Sequence, residues 1–318
     1  MAAQALSLAR RDRDDAPVAD ERSLGTRGRR LPRGRAAARR AGRRPRLAPL
    51  RWYARHLAPR HLRLERVAVP LPRLPAGLAG LRVGLLTDPH HDLGRPLALL
   101  ARGVALLNAA APDLILLGGD YVVSRAAGFE PCAALLGRLR APLGVYAVLG
   151  NHDYWAGADL IAAKLAAAGV VVLRNAARPL VAPGGAPLWL VGLDDALHRR
   201  ADPDAALAGV PGDAFRLLLA HEPDVADALA GRRVDLQLSG HTHGGQVVLP
   251  LLGPPLLPPL GRRYLRGLAR AAPHPVYTSR GLGAAPPYVR LNSAPEVAVL
   301  TLLPGADPAL RGTGPHRP

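Results

Sequence analysis

Short, continuously apolar segments alternate along the chain with longer segments rich in Ala and Leu. Six apolar runs are too short and too uniformly apolar for surface helices, so we interpret them as strands buried on both faces. They are LRVGLLTD (81–88), DLILLGGD (113–120), GVYAVLGNHD (144–153), LWLVGLDD (188–195), FRLLLAHEPD (215–224) and VDLQLSGHTH (234–243). Segments between them, such as 95–112 and 131–140, carry apolar residues at helical spacing. The alternation predicts an α/β fold.

Polar residues follow most of these predicted strands. They are Asp88, Asp120, Asn151 with His152, His221, and His241 with His243. In α/β sheets, ligands collect beyond the carboxyl ends of strands, so separate parts of the chain should meet in one crevice. Each residue alone has an ordinary structural explanation, such as a helix cap or a buried histidine. Together they offer the carboxylate, imidazole and amide groups that hard or borderline cations prefer, which indicates a two-metal site.

The spacing within two of the motifs supports a metal site. Asp88 and His90 are two residues apart, as are His241 and His243, so each pair can point to the same side of an extended strand end. The glycines around His241 and His243 allow a tight turn and a close approach of the backbone.

Composition limits which ligands are available. The chain has 318 residues, of which 49% are hydrophobic, enough for a globular protein with an internal site. Cys132 is the one cysteine, so neither an intramolecular disulfide nor a cysteine-built zinc site can form. Any metal must be held by His, Asp, Asn or Glu.

The net charge of +18 is unevenly placed. Residues 1–50 contain 14 Arg against 5 Asp and Glu, a net of +9. We expect 1–48 to be a disordered Arg-rich arm, 49–304 the folded domain and 305–318 a polar tail. The arm is interpreted as a solvated tail, with a nucleic-acid or membrane-surface arm as the alternative.

The sequence gives no sign of export or of a membrane span. No stretch approaches the roughly 20 apolar residues that cross a bilayer. The Arg pairs at 29–30 and 39–40 are not followed by an apolar region, as a twin-arginine signal requires. We therefore expect a cytoplasmic protein without signal peptide or transmembrane helix, with peripheral contact at the membrane left open.

The ordered motifs resemble those of the calcineurin-like metallophosphoesterases. The matching blocks are DxH (88–90), GGD (118–120), GNHD (150–153), the histidine of LLLAHEP (221) and GHTH (240–243). The later segments GHTHGGQV and SRGLGAAPPYVRLNSAPEV are similar to the branch of bacterial phosphodiesterases with membrane-linked members and UDP-2,3-diacylglucosamine pyrophosphohydrolase-type enzymes. The resemblance implies a four-layer αββα sandwich of two mixed sheets, with a dinuclear site at their shared edge.

The resemblance also implies the ligand set. Asp88, His90 and His243 would hold one ion, Asn151, His221 and His241 the other, and Asp120 would bridge both. A hydroxide bridging the ions, which lie about 4 Å apart, would then attack phosphorus. Asn151 and His152 would bind the substrate. His152 would neutralise the phosphate or protonate the leaving group, and Asp153 would hold it in place.

Two departures from the family pattern bear on the metal. His91 follows His90 and is an alternative or additional contact, although spacing favours His90. Position 123, where purple acid phosphatases carry an iron-binding tyrosine, is Val123. We therefore expect Mn²⁺, with Zn²⁺, Fe²⁺, Co²⁺ or Ni²⁺ as alternatives.

Two segments outside the motifs are candidates for substrate contact. Residues 249–268, rich in Pro and Leu and ending in arginines, are either a loop packed on its own core or a lip that contacts acyl chains or a membrane. Tyr154 and Trp155 either line the entrance or pack. Arg280 and Arg290 stay unassigned, and Cys132, His198 and His274 are treated as structural or incidental.

We therefore expect a metal-dependent phosphodiesterase or pyrophosphohydrolase acting on a lipid- or nucleotide-linked substrate. One alternative is an Arg-rich protein that binds nucleic acid or a membrane surface, with a secondary or inactive metal site. Another is a scaffold that has lost catalysis. Deletion of 1–48 separates the first two, because salt-dependent binding should disappear while turnover survives. A nucleic-acid partner is not expected for the enzyme.

Overall fold

The structure is a computed structural model that describes residues 61–91, 97–270 and 274–305. The expected arm, 1–48, lies outside these ranges, as does nearly all of the expected tail, so the proposed domain boundaries stay predictions. No helix of the described residues is long and apolar enough to cross a membrane.

Two mixed six-stranded sheets form the centre of the molecule. The strands of the first sheet are β1 (Arg63–Leu71), β2 (Arg82–Leu86), β3 (Leu114–Leu117), β4 (Val145–Ala147), β5 (Val171–Val172) and β12 (Glu296–Pro304). Their order is β1, β12, β2, β3, β4, β5. All neighbours pair in parallel except β12 with β2.

The second sheet has the same number of strands. They are β6 (Ala176–Val181), β7 (Pro187–Gly192), β8 (Arg216–Leu219), β9 (Leu236–Ser239), β10 (Gly267–Arg270) and β11 (Pro275–Thr278). Their order is β10, β11, β9, β8, β7, β6. The inner strands β11, β9, β8 and β7 are parallel, and the two outermost pairs are antiparallel.

Helices cover the outer faces of the two sheets. The described helices are α1 (Ala98–Ala110), α2 (Glu130–Leu136), α3 (Asn151–Ala156), α4 (Ala158–Ala167), α5 (Pro203–Leu207) and α6 (Val225–Ala228). Single 3₁₀ turns occupy Ala76–Leu78 and His243–Gly245. In α1 the buried positions are Leu100, Gly103, Val104 and Leu107, the spacing of one helix face.

The alternation of side chains along each strand divides the core into layers. In β3, Leu114 and Leu116 face the second sheet, whereas Ile115 and Leu117 pack with α1, α2 and α4. In β8, Leu217 faces the first sheet and Leu218 packs with α5 and α6. Because both faces of these strands are buried, their sequences are continuously apolar.

All six strands predicted from the apolar runs are present, α1 lies in the first segment predicted to be helical, and α2 overlaps the second. The expected four-layer α/β sandwich with two mixed sheets is confirmed. Strands β1, β5, β6, β10, β11 and β12 had not been singled out.

A buried histidine outside the candidate site makes stability depend on pH. Burial lowers the pKa of His274 from 6.5 to about 4, so the fold holds a neutral imidazole. In the unfolded chain this histidine takes up a proton as the pH falls below about 6.5, whereas in the folded chain it does so only near pH 4. Acid therefore favours the unfolded state, and the free energy of unfolding decreases between about pH 6.5 and 4. From about pH 7.5 to pH 5 the loss is about 2 kcal/mol.

His274→Gln should remove this loss, because glutamine can still donate to Gln237 Oε1, which accepts from His274 at 3.1 Å. Denaturant unfolding at the two pH values measures it, with the exposed His61 replaced by Gln as the control. Equal pH dependence in wild type and His274→Gln would contradict the assignment.

Candidate metal centre

The predicted metal ligands lie together where the carboxyl ends of strands from both sheets meet. They follow β2, β3 and β4 of the first sheet and β8 and β9 of the second. All are buried, with exposures of 6% or less. The residues are Asp88, His90, Asp120, Asn151, His221, His241 and His243.

Asp88, His90 and His243 form one cluster of ligand atoms. His90 Nε2 lies 2.9 Å from His243 Nε2, and His243 Nε2 lies 3.6 Å from Asp88 Oδ1. His90 Nε2 lies 4.0 Å from Asp88 Oδ1. Ligand atoms that share one ion at about 2.1 Å are separated by roughly 3 to 4 Å, so the cluster fits a single cation.

Asp120, His221 and His241 form a second cluster. His221 Nε2 lies 3.3 Å from Asp120 Oδ2 and 3.2 Å from His241 Nδ1. Asp120 Oδ2 also lies 3.5 Å from His90 Nε2 of the first cluster. One carboxylate oxygen is therefore within reach of both sets of ligands.

Asn151 adds a buried oxygen that has no hydrogen-bond partner within the described part of the chain. It is the first residue of α3, and its Oδ1 is buried with no hydrogen-bond partner among the described residues. A buried amide oxygen without a partner is costly, and a cation would satisfy it. The donor set of carboxylates, imidazoles and this amide oxygen fits two divalent ions.

Hydrogen bonds orient the two imidazoles of the second cluster. His221 Nδ1 donates to Gly118 O at 2.7 Å, and His241 Nε2 donates to Pro259 O at 2.8 Å. Each bond directs the other ring nitrogen to the cluster, as the hydrogen-bond partners of metal-bound histidines do.

Burial keeps most of the imidazoles neutral. It lowers the pKa of His90 to about 3 and that of His241 to about 4, and it places the pKa of His243 well below its usual value. Burial also raises the pKa of Asp88 to about 6. Neutral imidazoles have the free lone pair that a metal ligand needs at neutral pH.

At the centre of the site, neighbouring charges shift the pKa values of Asp120 and His221 more than burial does. Burial alone would raise the pKa of Asp120, but the charge of His221 and its hydrogen bond to the carboxylate lower it below its usual range. Burial alone would lower the pKa of His221, but the Asp120 carboxylate raises it well above its usual value. Asp120 is therefore ionised.

The backbone is strained at five of the predicted ligands. Their φ angles lie in the left-handed region, which residues with a Cβ rarely adopt. The values are 53° at Asp88, 45° at His90, 57° at Asp120, 71° at His241 and 53° at His243. This strain could not be read from the sequence.

Two motif glycines allow the clusters to close. A Cβ at Gly150 would lie 2.3 Å from Asp120 Oδ1, and a Cβ at Gly240 would lie 2.4 Å from Asp88 Oδ2. Side chains at these positions would push the carboxylates out of place, so glycine is required for close approach.

His152 lies at the open side of the site. Its Nε2 is 4.0 Å from Asp120 Oδ2, and it forms a third ligand group with Asp120 and His90. Its Nδ1 bonds to Val123 O at 2.5 Å, and its side chain is 17% exposed.

The structure gives Asp153 different partners from those expected. Its carboxylate accepts from the backbone amides of Asp120 at 2.8 Å, Tyr121 at 2.8 Å and Gly150 at 3.0 Å. It does not hold the His152 side chain, whose Nδ1 bonds to Val123. Asp153 instead ties the loop after β3 to the start of α3, which positions Asp120.

Other candidates from the sequence lie outside the ligand clusters. His91 bonds through Nε2 to Gly128 O at 3.2 Å and belongs to none of the ligand groups found among the described residues. Arg280 pairs with Glu65 and Glu296.

Arg290 is a positioning residue that sequence reasoning left unassigned. It is 4% exposed and donates to the carbonyls of Gly283 at 2.7 Å, Gly281 at 3.1 Å and His243 at 3.3 Å. These bonds tie the loop before β12 to the loop that carries His243. The sequence contains many arginines, and nothing in it distinguishes Arg290 from the others.

A family model described as calcineurin-like phosphoesterase matches residues 81–245. This range covers more than half of the chain and contains all seven predicted ligands. The chain belongs to the calcineurin-like phosphoesterase family. It is a metal-dependent phosphoesterase, as its motifs implied, and the family binds divalent metals.

The chain is similar to several named bacterial proteins. It is 38% identical over 231 residues to phosphodiesterase YaeI of Escherichia coli, covering 71% of this chain and 83% of YaeI. It is 33% identical over 253 residues to the uncharacterized metallophosphoesterase YkuE of Bacillus subtilis, covering 79% and 88%. It is 29% identical over 247 residues to UDP-2,3-diacylglucosamine pyrophosphatase LpxG of Chlamydia trachomatis, covering 63% and 75%.

We expect wild-type protein to bind two Mn²⁺ per chain, and His90→Ala to weaken one of the two sites. The loss in affinity should exceed the roughly 10- to 100-fold that is lost when a residue hydrogen-bonded to a metal ligand is removed. Equilibrium dialysis with metal analysis measures it. The matched control is His91→Ala, which should keep both ions because His91 bonds to a backbone carbonyl instead. The reverse result would transfer the ligand role to His91.

Proposed function

We propose that the protein is a phosphodiesterase or pyrophosphohydrolase acting on a lipid- or nucleotide-linked substrate, with two Mn²⁺ ions at the described centre. The proposal depends on one observation: Asp120 Oδ2 lies 3.5 Å from a ligand atom of the first cluster and 3.3 Å from one of the second. A carboxylate so placed can bridge two ions. Peripheral membrane contact through 249–268 is part of the same proposal.

The assignment of ligands follows the two clusters. Asp88, His90 and His243 would hold one ion, His221, His241 and the unpartnered oxygen of Asn151 would hold the other, and Asp120 would contact both. Bound divalent cations would supply Lewis-acid activation of the phosphoryl group and of the attacking water.

The residues at the open side bind and protonate the substrate. His152 is close to Asp120 yet partly exposed, so its Nε2 can reach a phosphate oxygen or the leaving oxygen. With its Nδ1 hydrogen donated to Val123 O, a protonated ring offers its second proton from Nε2. Asn151, beside it at the start of α3, can donate its amide to the phosphate.

Relatives support the choice of a diester or pyrophosphate. YaeI is named a phosphodiesterase and LpxG a UDP-2,3-diacylglucosamine pyrophosphatase. We propose the same reaction class here, because the substrate of LpxG contains both a nucleotide and acyl chains and so matches both expected substrate types.

The first test is hydrolysis of bis(p-nitrophenyl) phosphate by chelated protein titrated with Mn²⁺. Activity should return with metal in wild type, whereas His241→Ala and Asp120→Asn should lose at least about 100-fold, because the second cluster is incomplete. His91→Ala is the active control. Faster hydrolysis of p-nitrophenyl phosphate than of the diester would instead indicate a monoesterase.

His152→Ala separates proton transfer from metal binding. General-acid catalysis typically contributes about 10²- to 10⁴-fold, so kcat should fall within that range while two ions remain bound. Metal analysis on the same samples checks the second point. Loss of an ion together with activity would make His152 a ligand and contradict the assigned role.

A further inference from the structure

Three leucines just after the metal-binding loop have the most exposed large apolar side chains of the described residues. Leu251 is 107% exposed, Leu252 81% and Leu256 85%. Leu291, 43% exposed, joins them, because Val248 N donates to Leu291 O at 2.9 Å. Isolated exposed leucines are ordinary, but a group of four in one place marks an interaction surface.

The leucines are presented by a narrow turn. Leu249 and Gly253 exchange backbone hydrogen bonds of 2.9 and 3.0 Å, which closes a short hairpin with Leu251 and Leu252 at its tip. Leu251 has a φ of 66°, a conformation in which a turn would normally use glycine or asparagine. Here it carries a large apolar side chain directed into solvent. We call residues 249–253 the leucine hairpin.

The leucine hairpin is joined to the metal centre. It begins six residues after His243, and the segment that follows it supplies Pro259 O, which accepts from His241 Nε2 at 2.8 Å. A Cβ at Gly245 would lie 2.7 Å from Pro254 Cβ, so the metal loop and the hairpin segment pack tightly. A surface that the hairpin contacts is therefore close to the site.

Two exposed arginines follow the leucines in the chain. Asn292 Nδ2 donates to Val248 O at 2.9 Å, and Arg266 Nη1 lies 3.4 Å from Asn292 O, so exposed Arg266 is at the base of the leucine hairpin. Arg262 is exposed in the same segment, and neither arginine forms a salt bridge among the described residues. Apolar tips flanked by cations favour an anionic lipid surface over a flat protein partner.

We propose that the leucine hairpin inserts Leu251 and Leu252 into an anionic lipid bilayer while Arg262 and Arg266 contact the headgroups. The metal centre then faces the headgroup layer. The substrate would then be a lipid whose phosphodiester or pyrophosphate lies in the headgroup layer. This consequence rests on the proposed function. The insertion itself does not require catalysis.

A fluorescent label at the tip tests the insertion directly. Cys132 is buried, and burial raises the pKa of its thiol, so it does not compete for a thiol-reactive label. Full-length Leu252→Cys is labelled with the environment-sensitive dye NBD and mixed with phosphatidylcholine vesicles containing phosphatidylglycerol. The NBD emission should shift to the blue and increase. Label at Val181→Cys, 63% exposed on β6, should not respond.

The NBD signal at residue 252 distinguishes insertion of the leucine hairpin from vesicle binding through the Arg-rich segment 1–48. Vesicle binding without any change at Leu252→Cys would overturn the proposal. An equal response at both labelled positions would overturn it as well. A response that needs only higher protein concentration, without vesicles, would show that the hairpin contacts a second copy instead.

A double variant tests how much Leu251 and Leu252 contribute to the free energy of vesicle binding. Leu251→Ser with Leu252→Ser should lower partition into the same vesicles at least about tenfold, because two leucine side chains no longer enter the apolar phase. Val181→Ser is the matched control. Hydrolysis of bis(p-nitrophenyl) phosphate by the double variant should equal that of wild type. If neither protein hydrolyses the diester, the proposed function fails while the vesicle results still decide the insertion.

Discussion

The Asp120 carboxylate, buried where the two sheets meet, is the group on which the arrangement of the site depends. Its Oδ1 accepts from His152 N at 2.9 Å, and its Oδ2 faces His90 and His221 from opposite sheets. An ionised carboxylate at 1% exposure is costly unless positive charge compensates for it. The histidines provide part of that compensation, and two cations would provide the rest. The negative charge of Asp120 is therefore the reason that histidines, and the cations they can bind, are favoured around it.

The fold delivers these ligands because of a property that the sequence does show. Strands buried on both faces are continuously apolar, so the first polar residue after each run marks the strand's carboxyl end. Asp88 follows β2, Asp120 follows β3 and His221 follows β8. The α/β fold and the residues that gather in one crevice could therefore be predicted from the apolar runs, whereas the sandwich of two sheets was implied by the resemblance of the motifs to a known family. Edge strands such as β5 and β6 are short or partly exposed, and they lack this signature.

What could not be predicted is how the ligands are held. Asp153 looked like the partner of its neighbour His152, yet its carboxylate accepts backbone amides of the loop after β3 and of Gly150 at the start of α3. Arg290 reaches His243 from a loop 47 residues later in the chain. Such contacts depend on which loops pack together, and spacing along the sequence does not determine that packing. The left-handed backbone at Asp120 and His241 has the same origin: close packing imposes it against local preference.

The bond between His241 and Pro259 links the surface of the molecule to the chemistry of the metal centre. Pro259 O fixes the Nε2 hydrogen of His241 and thereby leaves Nδ1 free to bind a cation. The segment that supplies this carbonyl also carries Leu256 and follows the leucine hairpin. The same short stretch of chain, 251–259, therefore carries the exposed leucines and the carbonyl that orients a predicted metal ligand.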